Sequence, residues 1–472
     1  MLVSGCRNDK KTLYNYLVKR LDEYGDNQVY CIRERGSEDY RNVSTSEFLN
    51  RTFRVGTYLN KSGYCHNKIA ILSEDSYEWI VSFFAITTAS CCAVPLESNA
   101  NVGILREMVE YTDCELLIYS NELRAVAEEL SRLLDIQILC MDEYDDIVAV
   151  TDIAEDYGQN INEEELAVIS FTSGTTSKRK GVMHNHYNLW HVIIAGQELF
   201  SDSHKVMIPL PYYHMFAIGG IMLAYSKGRT LLVSSLRYLP IDILKFRPDF
   251  LTIVPAMLES VFELLQNNNV PMIICSGGGH MNLSWIERFA KINVRLMNSY
   301  GATECAPGIA VDYERHDGSF ERVVNMKIRT TEDGELIIRA PNVMVGYYKM
   351  PEETARVLDN GWYHTGDLAH IVDDKYIFLE GRVNNLLVLS NGENIPAEIF
   401  EELLLDAGAD EALVSSDNGA LKATVYSAAI SDKELKDRIL EVNRTLASAR
   451  RFQIIDISCC PLEKTALGKI KR

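Results

Sequence analysis

Leu166-Ala167-Val168-Ile169-Ser170-Phe171-Thr172-Ser173-Gly174-Thr175-Thr176-Ser177-Lys178-Arg179-Lys180-Gly181-Val182 is the stretch on which the reading of the fold turns. Its first six residues form a short apolar run of the kind that fills a buried strand. From Thr172 onward it changes to Thr and Ser hydroxyls, Gly174 and Gly181, and the cations Lys178, Arg179 and Lys180. Such a loop supplies hydroxyl and backbone N–H donors beside fixed positive charge, the set an anionic polyphosphate requires. A Walker loop it is not, because the chain's Gly-Lys pair, Gly468-Lys469, is followed by Ile470 where Ser or Thr is needed. Standing alone, the segment would read as a basic surface turn.

Working outward, strand-type runs alternate with helix-period segments. Upstream, Lys68 to Leu72, Leu116 to Tyr119 and Ile136 to Cys140 read as strands, with helices over Tyr77 to Thr88, Val102 to Thr112 and Asn121 to Leu134. An acidic, solvated stretch from Asp152 to Glu165 separates these from the quoted run. Downstream, Val206 to Leu210, Thr230 to Ser234, Phe250 to Val254, Met272 to Ser276 and Arg295 to Ser299 read as further strands. Alternation of this kind predicts α/β layers with largely parallel sheets. Near Thr330 the pattern changes to hairpin-type strands, Glu335 to Arg339 and Tyr376 to Leu379, which adds a β-rich section. The last 90 or so residues form a small α+β unit, with Gly381 to Asn385 as its junction. The expected domains are therefore 1–382, large and N-terminal, and 383–472, small and C-terminal.

Composition narrows the function classes. The chain has 472 residues, 47% hydrophobic and 24% charged, the balance of an ordinary globular protein. Its 47 Lys plus Arg stand against 66 Asp plus Glu, and a net charge of -19 repels nucleic-acid backbones and anionic membranes. Eleven cysteines without a CxxC spacing read as reduced thiols and point to the cytoplasm. The longest apolar stretch, Trp79 to Leu96, is too short and too interrupted by Ser, Thr and Pro95 for stable membrane insertion. A buried helix leading into a buried strand fits it better.

The quoted loop is followed in order by Pro209-Leu210-Pro211-Tyr212-Tyr213-His214, Ser276-Gly277-Gly278-Gly279, Tyr300-Gly301-Ala302-Thr303-Glu304 and Gly361-Trp362-Tyr363-His364-Thr365-Gly366-Asp367-Leu368. Then come Gly381-Arg382, Ser390 to Ile399, and Lys464-Thr465-Ala466-Leu467-Gly468-Lys469-Ile470. Together these motifs resemble the adenylate-forming superfamily of acyl-CoA synthetases, peptide-synthetase adenylation domains and luciferases, with Ser390 to Ile399 most similar to the fatty acyl-CoA ligases. The resemblance implies an acid–thiol ligase that joins a carboxylate to ATP as an acyl-adenylate, releases pyrophosphate, and passes the acyl group to CoA. A separate carrier-protein thiol is the alternative acceptor, and a non-catalytic nucleotide-binding protein of the same fold is the alternative from another class.

By the same resemblance Thr172, Ser173, Gly174, Thr175, Thr176 and Lys180 grip the β- and γ-phosphates. Thr303 bonds the α-phosphate, and Glu304 is the Mg²⁺ ligand, a hard oxygen donor suited to that ion. Tyr300 stacks on adenine, while Gly277, Gly278 and Gly279 admit it closely, within a nucleotide surface that includes Asn298, Ser299, Gly301 and Ala302. Asp367 takes the ribose hydroxyls, with Arg382 as a cation beside them. Lys469 bridges the carboxylate and the α-phosphate, His214 gates the acid, and Gly392 lines the pantetheine passage. Three positions depart from the family pattern: Ser177 for glycine, Arg179 for proline, and a neutral Asn384 at the pivot.

The acid pocket that the resemblance places around His214 to Gly220, Cys275 and Cys305 to Gly308 is small and apolar in this sequence. No acidic residue lies between Pro209 and Tyr225 to pair an α-ammonium group, so a fatty or other apolar acid is expected rather than an amino acid. His184 and His186 flank Asn185 without a nearby carboxylate or thiol in sequence, and structural roles are expected for both.

Overall fold

A computed structural model describes residues 10–33, 39–172, 179–196, 203–312, 315–389, 394–417, 420–464 and 470–471. It is a mixed α/β structure with a large N-terminal domain and a smaller C-terminal one. The apolar run quoted above is the strand Leu166–Phe171. It pairs in parallel with Cys92–Pro95 and antiparallel with Gly181–Asn185, so the chain returns beside itself directly after the phosphate loop. These strands belong to a seven-stranded sheet ordered Gly346–Tyr347, Gly181–Asn185, Leu166–Phe171, Cys92–Pro95, Lys68–Leu72, Leu116–Tyr119 and Gln137–Cys140. Ile69, Ala70, Ile71 and Leu72 are all fully buried, which requires cover on both faces.

The helix Tyr77–Thr88 provides much of that cover. Every residue in it except Glu78 is buried, the signature of a core helix rather than a surface one. Its threonines are satisfied: the Thr87 hydroxyl donates to the Phe83 carbonyl at 2.9 Å, and Thr88 pairs with the Tyr157 hydroxyl at 2.7 Å. Tyr157 and Ile161 are themselves buried, which corrects the reading of Asp152 to Glu165 as a solvated stretch. Asp152, Glu155, Asp156 and Glu164 are exposed, while Tyr157 and Ile161 pin the segment to the core.

The second sheet has fourteen strands. Gln28–Arg33, Thr230–Val233, Lys205–Met207, Phe250–Ile253, Ile273–Gly277 and Arg295–Tyr300 run parallel in that spatial order. Beyond Arg295–Tyr300 the pairing turns antiparallel through Ala310–Val311, Ser319–Arg322, Tyr376–Arg382, Trp362–Val372, Glu335–Arg339 and Lys327–Thr330. The β-rich section is thus continuous with the parallel sheet, and parallel pairing accounts for less than half of the strand pairs. Ligands of α/β proteins bind beyond the C-terminal ends of parallel strands, and Tyr300 stands at such an end. The strand expected over Val206 to Leu210 is shorter, Lys205–Met207, because Pro209 and Pro211 lack the N–H a ladder needs.

The C-terminal elements pack around a core of their own that includes Phe400, Leu404, Val414, Leu421, Leu435 and Phe452. Its sheet joins Glu411–Asp417, Ala420–Tyr426 and Phe452–Ile457, with helices Ala397–Asp406 and Asp432–Thr445. No helix among the described residues is long and apolar enough to cross a membrane.

Candidate active site

The neck of the phosphate loop is closed by the Thr172 N–H donating to the Lys180 carbonyl at 3.1 Å. Ser173, Gly174, Thr175 and Thr176 lie outside the described residues, as do Gly392 and Lys469. Lys180 emerges beside the strand Gly346–Tyr347. Its Nζ is 3.1 Å from Glu353 Oε2 and 4.7 Å from the centre of the Tyr347 ring. The Tyr347 hydroxyl donates to Glu304 Oε1 at 2.8 Å, so one aromatic side chain joins the loop lysine to the turn that bears Thr303 and Glu304.

That turn, the short helical stretch Thr303–Cys305, is fixed from four directions. His184 Nε2 donates to the Thr303 carbonyl at 2.8 Å, and the Met344 N–H donates to the Glu304 carbonyl at 2.8 Å. Asn342 Nδ2 donates to the carbonyls of Cys305 at 2.7 Å and Gly308 at 2.9 Å, and Tyr347 holds the Glu304 carboxylate. Burial pushes His184 down to about 4, so its ring is neutral and Nε2 carries the proton that the carbonyl accepts. His186 is likewise pushed down to about 3, and its Nδ1 accepts the Leu13 N–H at 3.2 Å. Both histidines are structural partners of separate elements, as expected. Glu304 suits a divalent cation on its chemistry: Tyr347 occupies one carboxylate oxygen, and the other has no hydrogen bond or ion pair among the described residues.

A second group forms where Arg295–Tyr300, Trp362–Val372 and Tyr376–Arg382 meet. Asp367 and Arg382 are register partners across two strands, with Arg382 Nε 2.7 Å from Asp367 Oδ1. The Tyr300 hydroxyl donates to Asp367 Oδ2 at 2.5 Å. Burial, and then the negative charge of Asp367, push the Tyr300 phenol well above its ordinary value, so it stays a donor. Glu335 locks the approach to this site, accepting the Gly366 N–H at 2.9 Å and pairing with His364 Nδ1 at 2.8 Å. Three residues scattered in sequence, Tyr300, Asp367 and Arg382, are therefore brought into one cluster.

The glycine-rich strand end divides by cause. At Gly277 a Cβ would stand 2.2 Å from Ser299 Oγ and 3.0 Å from Phe216 Cζ, so internal packing excludes a side chain. Gly278 has φ +81°, a conformation that favours glycine, whereas a Cβ at Gly279 would meet Pro255 at an ordinary 3.5 Å. Gly301 admits no substitution, because its Cβ would be 1.6 Å from the Pro307 carbonyl oxygen. Ser299 Oγ donates to the Ser276 carbonyl at 3.0 Å, Asn298 is buried with Oδ1 unpartnered among the described residues, and Ala302 is half-buried.

On the acid side, His214 caps the helix Met215–Ser226, with its ring 4.4 Å from that of Tyr213. A Cβ on Gly219 would come within 2.8 Å of Pro307 Cδ, so this helix lies close against the segment after Glu304. Met215, Ala217, Cys275, Cys305 and Ala306 are buried core, while Phe216, Gly220, Pro307 and Gly308 are half-buried. One inference from sequence needs correcting. A carboxyl does reach this region: Asp75 Oδ1 accepts the Tyr212 N–H at 2.7 Å, and burial pushes its acid up to about 7. It comes from a loop far away in sequence, and its tie to the backbone and partial protonation leave it poorly suited to an ammonium group.

Tyr347, Glu353, Glu335 and Asn342 were not singled out by sequence. Gly346–Tyr347 is a two-residue strand, too short for any periodicity to mark it. Among the described residues no group of three or more His, Cys, Asp or Glu side chains forms a metal cluster.

Residues 18–348 match the AMP-binding enzyme family, and the chain belongs to it. It is similar to 2-succinylbenzoate–CoA ligase of Oceanobacillus iheyensis, 26% identical over 430 residues that cover 85% of this chain and 86% of that protein. Long-chain-fatty-acid–CoA ligase 5 of Rattus norvegicus is 26% identical over 493 aligned positions, covering 84% of this chain and 72% of its own length. The fold is shared with o-succinylbenzoate CoA synthetase of Bacillus subtilis in complex with its acyl-adenylate intermediate, at a TM-score of 0.83 and 21% identity over 97% of this chain and 96% of that one.

Proposed function

We propose that the chain is an ATP-dependent acid–thiol ligase that activates an apolar carboxylate as acyl-AMP and transfers the acyl group to CoA. The observation that carries this reading is a pair of clusters linked by the turn that follows the strand Arg295–Tyr300: Lys180, Glu304 and Tyr347 in one, and Tyr300, Asp367 and Arg382 in the other. The first set is suited to the phosphates, the second to a nucleoside with paired hydroxyls. Its relatives' names and the family to which it belongs support the same chemistry.

Both reactants are anions, so the site must hold them together and stabilise charge that grows on the α-phosphate. Thr172, Lys180 and the loop residues Ser173 to Thr176 would grip the outer phosphates. Thr303, on a turn anchored by His184, Asn342 and Met344, would donate to the α-phosphate without having to reorganise. Glu304 would hold Mg²⁺, which supplies charge neutralisation between the phosphates when bound. Lys469 would bridge the attacking carboxylate and the α-phosphate. We place the domain boundary after Arg382, so that the C-terminal domain carries Lys469 in and withdraws it before thiol attack.

The acid is read as apolar because Phe216, Gly220, Pro307 and Gly308 offer no fixed charge. Aryl and fatty acids both meet that description; of the two relatives named above one is named for a fatty acid, the other for 2-succinylbenzoate, an aryl dicarboxylate whose second charge this reading would not accommodate. The test is ATP–pyrophosphate exchange across aryl, fatty and amino acids, followed by addition of CoA. Exchange stimulated by an apolar acid, with a CoA thioester as product, is expected. Exchange with none of them would leave a nucleotide-binding protein without turnover.

A further inference from the structure

The two described cations that flank the phosphate loop are both already paired with carboxylates. Arg179 Nη1 lies 2.9 Å from Glu97 Oε2, and Lys180 Nζ lies 3.1 Å from Glu353 Oε2. The holds differ. The Glu97 side chain is 18% exposed, while Glu353 stands in the first turn of the short helix Pro351–Val357 with its side chain 35% exposed. Each partner of the Lys180–Glu353 pair also has another tie. Lys180 keeps the face of Tyr347, and Glu353 keeps Arg356 at 2.5 Å through its other oxygen. The attraction of Lys180, with Arg356 behind it, holds the Glu353 carboxyl below its ordinary value, so it is a full anion.

We propose that Glu353 is an anionic stand-in for the outer phosphates: it holds Lys180 when they are absent and is displaced when they arrive. This rests on the reading of Lys180 as the ligand of the β- and γ-phosphates. The exchange is easy because a partly exposed ion pair contributes little and a phosphate offers more charge to the same ammonium. Tyr347 fixes Lys180 throughout, since a cation over a ring face leaves its N–H groups free to turn toward a new acceptor. Its hydroxyl keeps the link to Glu304 in both states. Glu353 therefore sets affinity for triphosphate and pyrophosphate without touching the monophosphate end, and it recaptures Lys180 as pyrophosphate leaves.

The test is calorimetric titration of ATP, pyrophosphate and AMP, with Mg²⁺, into the full chain and its Glu353→Gln, Glu352→Gln and Lys180→Ala variants. Glu352 is the neighbouring acid, with no hydrogen bond or ion pair among the described residues, and it controls for overall charge. Glu353→Gln should tighten ATP and pyrophosphate about three- to fivefold, the scale of one exposed ion pair, and leave AMP unchanged. Glu352→Gln should change none of the three. The proposal is overturned if Glu353→Gln leaves ATP unchanged or weaker, or if AMP or Glu352→Gln shows the same gain. Lys180→Ala separates the two levels: ATP binding unaffected there removes the assignment of Lys180 itself, whereas a loss there with a neutral Glu353→Gln removes only the role of Glu353.

Discussion

The nucleotide side and the acid side of this site are built by different physics. On the nucleotide side nearly every functional group is held by another charged or polar one: Lys180 by Glu353 and Tyr347, Glu304 by Tyr347, Asp367 by Tyr300 and Arg382. On the acid side the constraints are contacts between small and apolar groups, Gly219 against Pro307 and Gly220 against Ile208. Charge and hydrogen bonds specify one ligand chemistry, because an analogue that leaves a buried polar group unpaired is rejected strongly. Shape alone discriminates weakly, since one methylene is worth only about 1–3 kcal/mol. On the proposed reading, the site would commit firmly to ATP and loosely to its acid.

Substitutions sharpen this contrast in order of expected effect. Lys469→Ala should lower the rate of pyrophosphate exchange by about 10²- to 10³-fold, the scale of one lost charge-stabilising donor, with the melting temperature unchanged. Asp367→Asn should weaken ATP binding about 10- to 100-fold, from about 1.5–3 kcal/mol for a hydrogen bond to a charged group. Equilibrium dialysis would check it, and wild-type affinity would make Asp367 only a structural partner of Tyr300 and Arg382. Gly219→Ala should move the acid preference, lowering kcat/KM for bulkier acids about tenfold while KM for ATP stays constant. A fall for every acid and for ATP alike would break the division between the two sides.

An effect on stability rather than on activity concerns the histidine beneath the Thr303 turn. His184 is held neutral, with burial pushing it down to about 4 from an unfolded value near 6.5. The unfolded chain then binds the extra proton first, so the stability this site contributes is present above about pH 6.5 and is lost as pH falls toward 4, by roughly 1.4 kcal/mol per pH unit. His186 acts in the same direction and Asp75 in the opposite one. Denaturant unfolding between pH 5 and 7 should show a shallower pH dependence in His184→Gln than in the wild type, and an unchanged slope would remove the assignment.

The same contrast explains how much could be read from sequence. Tyr300, Asp367 and Arg382 could be named together from sequence because their motifs resemble those of one family, and the structure brings the three side chains into contact. The core helix Tyr77–Thr88 and the strand Leu166–Phe171 were legible because burial on all sides leaves a continuous apolar run. Tyr347 and Glu353 were not, because they sit on a two-residue strand and a short exposed helix and act through partners distant in sequence. Asp75 was missed for a related reason: its place beside Tyr212 is set by tertiary packing across 137 positions of chain. The β-rich section was legible as hairpin-type strands within the large domain, but not its pairing, in which Ala310–Val311 ties it to the parallel sheet.

In the proposed reaction the acid's own oxygen attacks the α-phosphate. Carboxylate labelled with ¹⁸O, incubated with ATP, CoA and the enzyme, decides it by mass spectrometry of the products. Attack through an acyl-adenylate leaves one labelled oxygen in AMP when the thiol takes the acyl group, with none in pyrophosphate. Thioester formed with AMP unlabelled would contradict the claim.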